Sequence, residues 1–283
     1  MDEFAVLILT HGRADNVRTY ATLRRFGYTG RIYLVVDNED KQLPKYIENY
    51  GQEAVLVFDK RDTPLDLGDN KFDDRRTVLY ARNASFDLAR GVGLKYFMQL
   101  DDDYTAFLYR FGKDYMPVTK YIRSMDAVLA TMLEFFKGIP ADSIAMAQGG
   151  DFIGGSAGGA AHYLGQPRRK CMNSFLCSVD RQFPFVGRLN DDVNTYVVHG
   201  QRGRLFFTIG NVSLNQMTTQ TNPGGLTEAY LDSGTYVKSF YTVMMSPASV
   251  KVGLLGPINW RIHHSINWRC TVPKIVSEEL RRQ

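Results

Sequence analysis

The chain has 283 residues, 44% hydrophobic and 23% charged, and its net charge of +4 permits a polyanionic partner without requiring one. It contains no run of about 18 apolar residues, which excludes a membrane-spanning helix, and its first residues lack the basic and apolar regions of a secretion signal. The three cysteines have no zinc-like spacing, so we expect a reduced, cytoplasmic setting.

Strand and helix patterns alternate over the first 150 residues. Buried-strand patterns rich in Val, Ile, Leu and aromatic residues cover 4–10, 31–37, 53–59 and 96–100. Helical patterns cover 14–26, 76–90 and 120–137, and Gly138 ends the last of them. This alternation predicts an α/β, Rossmann-like fold with a mainly parallel sheet flanked by helices.

A glycine-rich segment follows a short strand pattern at residues 144–147. Residues 149–160 contain six glycines, which predicts a loop where the backbone approaches a ligand closely. The rest of the chain is irregular and shows no repeats. We find no clear boundary, so we predict one domain over residues 1–283, with halves of about 1–150 and about 151–283.

Three adjacent acids follow the strand pattern at 96–100. A buried strand does not continue through Asp101, Asp102 and Asp103, so these acids lie at its C-terminal edge, where open α/β sheets bind ligands. The alternation of side chains places Asp101 and Asp103 on one side of the strand and Asp102 on the other. Close carboxylates repel each other, and a divalent cation relieves the repulsion and can hold a diphosphate. An isolated acidic turn would more often be a solvated cap.

The first strand pattern ends in Thr10, His11, Gly12 and Arg13. Neither G-x-G-x-x-G nor a Walker A sequence follows, which excludes the usual dinucleotide and P-loop sites. One glycine, one histidine and one arginine suit a nucleobase and a phosphate. Asp37 ends the second strand pattern, where it either accepts a hydrogen bond from a base or ribose hydroxyl or caps a turn.

Arg82 lies in the helix pattern that leads to the acidic strand. An arginine at this place can reach the C-terminal edge of the sheet and contact a diphosphate with two donors. The alternative is an exposed helical arginine with no ligand.

These features together resemble the GT-A type of glycosyltransferase, in which a D-x-D motif binds a divalent cation and a nucleotide-sugar diphosphate. The stretches ILTHGRADNV at 8–17 and YTGRIYLVVD at 28–37 more narrowly resemble the phage TET-associated glycosyltransferases. This resemblance implies the addition of sugars to hydroxymethylated pyrimidines in phage DNA. The similarity is best over residues 4–110.

The resemblance implies roles for the candidate residues. The predicted nucleotide-sugar-binding residues are Thr10, His11, Gly12, Arg13, Asp37, Arg82, Asp101 and Asp102. The predicted ligands of Mn²⁺ or Mg²⁺ are Asp101 and Asp103, with His263 or His264 closing the site. In inverting enzymes an acidic pair supplies the general base, so Asp192 is the predicted catalytic base and Asp191 the second choice. Each of these residues also has an ordinary structural alternative, and whether the reaction inverts or retains stays open.

The resemblance also implies the acceptor. We expect a sugar, linked to UDP in the donor, to be transferred to the hydroxyl group of 5-hydroxymethylcytosine in phage DNA. Residues 1–150 would hold the donor and 151–283 the acceptor, with Arg168, Arg169 and Lys170 contacting DNA phosphates. The alternatives are a glycosyltransferase for a glycan, protein or small molecule, a sugar nucleotidyltransferase, and an inert binding module. The sugar and the oligomeric state cannot be read from the sequence.

Overall fold

The computed structural model describes residues 2–62, 74–149, 169–217, 235–255, 261–271 and 277–278. The helices are α1 (Arg18–Arg25), α2 (Leu43–Tyr50), α3 (Leu79–Gly91), α4 (Met125–Lys137), α5 (Asp191–Gln201), α6 (Thr235–Met245) and α7 (Trp268–Thr271). The strands are β1 (Phe4–Leu9), β2 (Ile32–Asp37), β3 (Val55–Phe58), β4 (Tyr96–Asp101), β5 (Tyr104–Phe111), β6 (Pro117–Tyr121), β7 (Ser143–Gln148), β8 (Ser174–Ser178), β9 (Phe206–Gln216), β10 (Val250–Leu255) and β11 (Arg261–Ile266). None of the described helices is long and apolar enough to cross a membrane.

Nine of the described strands form one large sheet in the order β3-β2-β1-β4-β8-β7-β9-β5-β6, and β10 pairs with β11 apart from it. Neighbouring strands are parallel from β3 to β4 and again between β7 and β9. The pairs β4–β8, β8–β7, β9–β5 and β5–β6 are antiparallel. The predicted α/β fold is confirmed, and its first four strands form the expected parallel unit.

The register of the parallel strands brings their C-terminal ends together. Leu9 at the end of β1 pairs with Val35 of β2 on one side and with Asp101 of β4 on the other. The residues that follow these strands therefore meet at one edge, as the strand patterns predict.

Alternate residues of each central strand pack on opposite faces of the sheet. Val6 and Ile8 of β1 join one buried cluster, which includes Leu23 of α1 and Leu129 of α4. The other cluster contains Ala5, Leu7 and Leu9 of β1, with Phe86 of α3 and Val197 of α5 among its members. Because both faces are covered, β1 is buried along its whole length, which explains its continuous apolar sequence.

Several elements of the first 150 residues differ from the predicted pattern. Helix α1 begins at Arg18 rather than 14, because the preceding loop is held by other contacts; the backbone N–H of Ala14 donates to Oε1 of Gln42 at 2.8 Å. Strand β6 takes the first residues of the predicted 120–137 helix, and α4 starts only after Ser124, whose side chain caps its N-terminus. The structure also contains α2, which the sequence patterns did not predict.

Candidate active site

Asp102 and Asp103 form the turn between β4 and β5, and Thr19 of α1 holds the backbone of this turn. Oγ1 of Thr19 donates to the carbonyl oxygen of Asp101 at 2.6 Å and accepts from the N–H of Tyr104 at 2.9 Å. The N–H of Thr19 also donates to the carbonyl oxygen of Asp102 at 3.1 Å. Thr19 is fully buried, so the acidic turn is fixed before any ligand binds. The only sequence signal for Thr19 is a hydroxyl group on the buried side of a helix.

Asp102 joins the end of β4 to the end of β1. Its Oδ1 accepts from Nη1 of Arg13 at 2.6 Å, and its Oδ2 accepts from Oγ1 of Thr10 at 2.7 Å. Thr10 also contacts the hydroxyl of Tyr46 at 2.9 Å, an interaction that the sequence did not predict. Burial raises the pKa of Asp102, and its contacts with Arg13 and Thr10 oppose that rise. Both carboxylate oxygens are thus engaged within the protein, and the predicted contact between Asp102 and the nucleotide-sugar stays a prediction.

Asp103 differs from its neighbours because its Oδ1 is buried and has no hydrogen-bond partner among the described residues. Burial, followed by the negative charges of Asp101 and Asp102, raises the pKa of Asp103 to about 7, although a hydrogen bond from Gln216 opposes the shift. A buried acceptor without a donor costs free energy unless a ligand satisfies it. The environment of Asp103 therefore fits a positively charged ligand.

Arg82 lies between the two acidic motifs. Its Nη2 donates to Oδ1 of Asp101 at 3.1 Å, and its Nε donates to Oδ2 of Asp191 at 2.5 Å. The guanidinium also lies 5.0 Å from the ring centroid of Phe175 and 5.7 Å from that of Phe185. Only 2% of Arg82 is exposed, which does not favour the predicted contact with a diphosphate, although its buried Nη1 has no hydrogen-bond partner among the described residues. In this structure Arg82 is a buried ion-pair partner of Asp101 and Asp191.

The second acidic motif begins α5. Asn190 precedes the helix with a φ of 54°, a left-handed conformation that asparagine tolerates, and its Nδ2 donates to the carbonyl oxygen of Lys238 at 2.7 Å. Asp191 and Asp192 are both buried, and burial raises the pKa of each carboxyl group. Asp191 is paired with Arg82, whereas Asp192 makes no ion pair among the described residues. The charge of Asp191 is therefore neutralised by Arg82, whereas that of Asp192 has no such ion-pair partner among the described residues.

His264 lies beside this second motif. Its Nδ1 is 3.5 Å from Nδ2 of Asn190, and its ring centroid lies 4.1 Å from that of His263, with the two ring planes tilted by 32°. Burial, together with the neighbouring His263 and Lys238, lowers the pKa of His264 to about 4. Within the described part of the chain, no three His, Cys, Asp or Glu side chains are grouped to hold a metal ion. The predicted set of Asp101, Asp103, His263 and His264 is therefore not assembled as one coordination shell.

His11 and Asp37 are hydrogen-bonded to each other at the ends of β1 and β2. Nδ1 of His11 lies 2.6 Å from Oδ2 of Asp37, and Nζ of Lys60 lies 3.0 Å from Oδ1. The hydrogen bond to Asp37 raises the pKa of His11; burial would raise the pKa of Asp37, but His11 and Lys60 hold it below its usual value. Asp37 is buried, whereas the side chain of His11 is 46% exposed. His11, rather than Asp37, is the member of this pair that a nucleotide can reach.

Gly12 completes this turn with a φ of +68°, and its N–H donates to Oδ2 of Asp40 at 2.6 Å. A residue with a side chain would be strained in this conformation, which explains the glycine. The predicted roles of the turn residues in nucleotide binding stay predictions.

The basic run after the glycine-rich segment lies only partly within the described residues, since Arg168 and residues 150–160 fall outside them. The guanidinium of Arg169 lies 5.3 Å from the ring centroid of Phe207. Lys170 is buried, and its carbonyl oxygen accepts from Oγ1 of Thr208 at 2.8 Å. Because a buried lysine is not presented to the surface, the predicted contact between Lys170 and DNA phosphates is not supported.

The parallel sheet edge, the acidic turn and the second acidic motif are the arrangement expected of a nucleotide-sugar glycosyltransferase. The model of the TET-Associated Glycosyltransferase family matches residues 4–225. The chain belongs to the TET-associated glycosyltransferase family. None of the curated proteins matches this sequence.

Several solved structures resemble the chain at low sequence identity. Glucosyl-3-phosphoglycerate synthase from Mycobacterium tuberculosis, in complex with Mg²⁺ and uridine diphosphate, is 10% identical over 93% of this chain and 87% of its own, with a TM-score of 0.48. The mannosyltransferase PcManGT from Pyrobaculum calidifontis, in complex with GDP-Man and Mn²⁺, is 12% identical over 87% and 73%, with a TM-score of 0.47. TarS residues 1–349 from S. aureus, in complex with UDP, is 10% identical over 75% of this chain, with a TM-score of 0.43, and the match spans 60% of that fragment.

Proposed function

We propose that this protein transfers a sugar from a UDP-linked donor to the hydroxyl group of 5-hydroxymethylcytosine in phage DNA. The main observation in support of sugar transfer is that Arg82 pairs with both acidic motifs. It contacts Asp101, a carboxylate on the predicted donor side, and Asp191, which is adjacent to the candidate base. Membership of the TET-associated family supports the modified pyrimidine as acceptor. Residues of about 1–150 would bind the donor and those of about 151–283 the acceptor.

The chemical step is a displacement at the anomeric carbon of the sugar. The acceptor oxygen forms a bond to this carbon, the bond from the carbon to the diphosphate oxygen breaks, and the nucleoside diphosphate leaves with the electron pair. The hydroxyl proton passes to Asp192, which is suited to this role because burial raises its pKa and Asp191, not Asp192, carries the ion pair with Arg82. A single displacement of this kind inverts the anomeric configuration.

A divalent cation, Mn²⁺ or Mg²⁺, fits the charges around the acidic turn. Arg82 pairs with Asp101 and Asp191, Arg13 pairs with Asp102, and the negative charges of Asp101 and Asp102 act on Asp103. The carboxyl groups thus outnumber the two guanidinium groups. Asp103, with its unpartnered Oδ1, and Asp101, which is partly exposed, are the residues that would hold the cation. A bound cation would offset the charge of the diphosphate, and phosphate oxygens and water would supply its other ligands.

The acceptor is tested by incubating the protein with Mn²⁺, a panel of UDP-sugars and DNA that contains 5-hydroxymethylcytosine. We expect mass spectrometry of the digested nucleosides to show a sugar added to the modified base. DNA without the hydroxymethyl group is the matched control, and it should stay unmodified because its pyrimidines offer no comparable nucleophilic oxygen. Equal transfer to a free nucleoside, a glycan or a protein would contradict the DNA acceptor and favour the alternative glycosyltransferase function.

The predicted contacts between the basic run and the DNA phosphates are tested through the salt dependence of DNA binding. Each phosphate contact adds about 0.9 to the slope of log affinity against log salt concentration. We therefore expect the double variant Arg168→Ala/Arg169→Ala to lower the slope by up to about two units. Lys170→Met is the control, since Lys170 is buried and should leave the slope unchanged. A larger loss of slope for Lys170→Met than for the double variant would contradict this assignment.

A further inference from the structure

We infer that Arg82 is a positioning residue for the transfer step, which holds the base-bearing helix α5 in place relative to the acidic end of β4. The inference rests on the proposed function, because it assigns Asp192 as the base. It replaces the sequence-based expectation of a diphosphate-binding arginine, which the burial of Arg82 does not support.

The contacts of Arg82 join three separate elements. The residue belongs to α3, and two different nitrogens of its guanidinium donate to Asp101 at the end of β4 and to Asp191 at the start of α5. Its own carbonyl oxygen accepts from Nε2 of Gln99 at 2.9 Å, which ties α3 to β4 a second time. The rings of Phe175 and Phe185 enclose the guanidinium. Two ion pairs and two ring contacts therefore leave the guanidinium of Arg82 little freedom to change its direction.

This arrangement separates the roles of the two adjacent acids. Arg82 keeps the carboxylate of Asp191 paired, and thereby fixes the first turn of α5 and the direction of the neighbouring Asp192. The planar guanidinium can serve two carboxylates with separate N–H groups, whereas a lysine presents one compact charge. Small displacements of a catalytic group cost a large part of the rate, so the bridge should affect turnover more than binding.

The test compares the double variant Arg82→Met/Asp191→Asn with the wild-type protein. Removing both charges together avoids leaving Asp191 buried without a partner. Asp101 also loses a donor, but its side chain is 24% exposed and water can replace that contact, so the variant should fold. We expect its kcat to fall by about 10²-fold, while its Kd for UDP in the presence of Mn²⁺ changes by less than about threefold. Arg82→Lys, which keeps the charge but cannot form the same fork, should also lose turnover and keep UDP affinity.

The matched control is Arg204→Met/Asp142→Asn. Nη2 of Arg204 donates to Oδ1 of the fully buried Asp142 at 2.6 Å, in an ion pair outside the site whose arginine side chain is 22% exposed. This variant should lose thermal stability and keep its kcat. If Arg82→Met/Asp191→Asn has the kcat of the wild type, Arg82 is merely structural. If it loses UDP affinity in proportion to turnover, Arg82 serves the donor. Either result overturns the inference.

A second readout does not depend on the acceptor. Binding of UDP and Mn²⁺ should slow hydrogen exchange at the amides of α5 in the wild type and in the Arg204→Met/Asp142→Asn control. The same ligands should leave exchange in α5 unchanged in Arg82→Met/Asp191→Asn. An equal response in that variant would contradict the inference. If the wild type leaves hydroxymethylated DNA unmodified, the proposed acceptor fails, and the exchange comparison still decides the role of Arg82.

Discussion

Replacement of Asp103 with alanine is expected to abolish sugar transfer, and chelation of divalent cations with EDTA should have the same effect. A diphosphate cannot share this edge of the sheet with several carboxylates unless a cation offsets their charge. The unpartnered Oδ1 of Asp103 is the atom best suited to contact such a cation. Transfer rates, together with Mn²⁺ titrations followed by electron paramagnetic resonance, measure both effects. Asp180→Ala, which changes an exposed aspartate, is the control and should remain active.

The pKa of Asp103 gives this prediction a pH dependence. The folded-state pKa is raised to about 7, so the ligand-free protein holds a proton on Asp103 at pH values where the unfolded chain has released it. The free energy of unfolding therefore falls as pH rises from the pKa of this carboxyl group in the unfolded chain toward about 7. A cation must displace the proton on Asp103 in order to bind. We expect Mn²⁺ affinity to rise with pH up to about 7 and then to level off. Full turnover in EDTA, or an affinity that does not respond to pH, would contradict the metal site.

The main strands and the position of the acidic turn could be predicted because their signals are local. A continuous apolar run marks a strand buried on both faces, and three adjacent charges mark where it ends. Strand β6 was missed because most of its residues are exposed, so it lacks the alternation of a half-buried strand. The last residues of β6 were then assigned to the helical pattern, so the predicted helix begins at 120 whereas α4 begins at Met125.

The partners of the charged residues could not be predicted, because they lie far apart in the chain. The contact between Arg13 and Asp102 spans 89 residues, and that between Arg82 and Asp191 spans 109. Sequence patterns show that an arginine is present but not whether a folded neighbour buries it. For the same reason Lys60 was not predicted as a partner of Asp37, and Lys170 was expected at the surface although it is buried. The types of charged residue at the site were thus predictable, whereas the role of each depended on the tertiary contacts.

Asp192→Asn is expected to slow the chemical step by roughly 10²–10⁴-fold while donor affinity changes little. Asparagine keeps the shape of the side chain and the hydrogen bond from the N–H of Val193, but it cannot take a proton from the acceptor hydroxyl. Single-turnover rates with saturating donor, together with the Kd for UDP, separate the chemical step from binding. The single-turnover rate of the wild-type protein should follow the ionised fraction of Asp192. It should therefore rise with pH and level off above the pKa of this carboxyl group, which burial raises.

Asp191→Asn is the matched comparison, because the adjacent acid undergoes the same change. It removes a charge that is paired with Arg82, so we expect a loss of stability, a smaller loss of rate, and a pH dependence of the remaining rate that still follows Asp192. If Asp191→Asn shows the larger loss of rate and abolishes the pH dependence, the roles of the two acids are reversed. If neither variant slows the chemical step, the prediction of a base at the start of α5 is wrong, and so is the proposed single displacement with inversion.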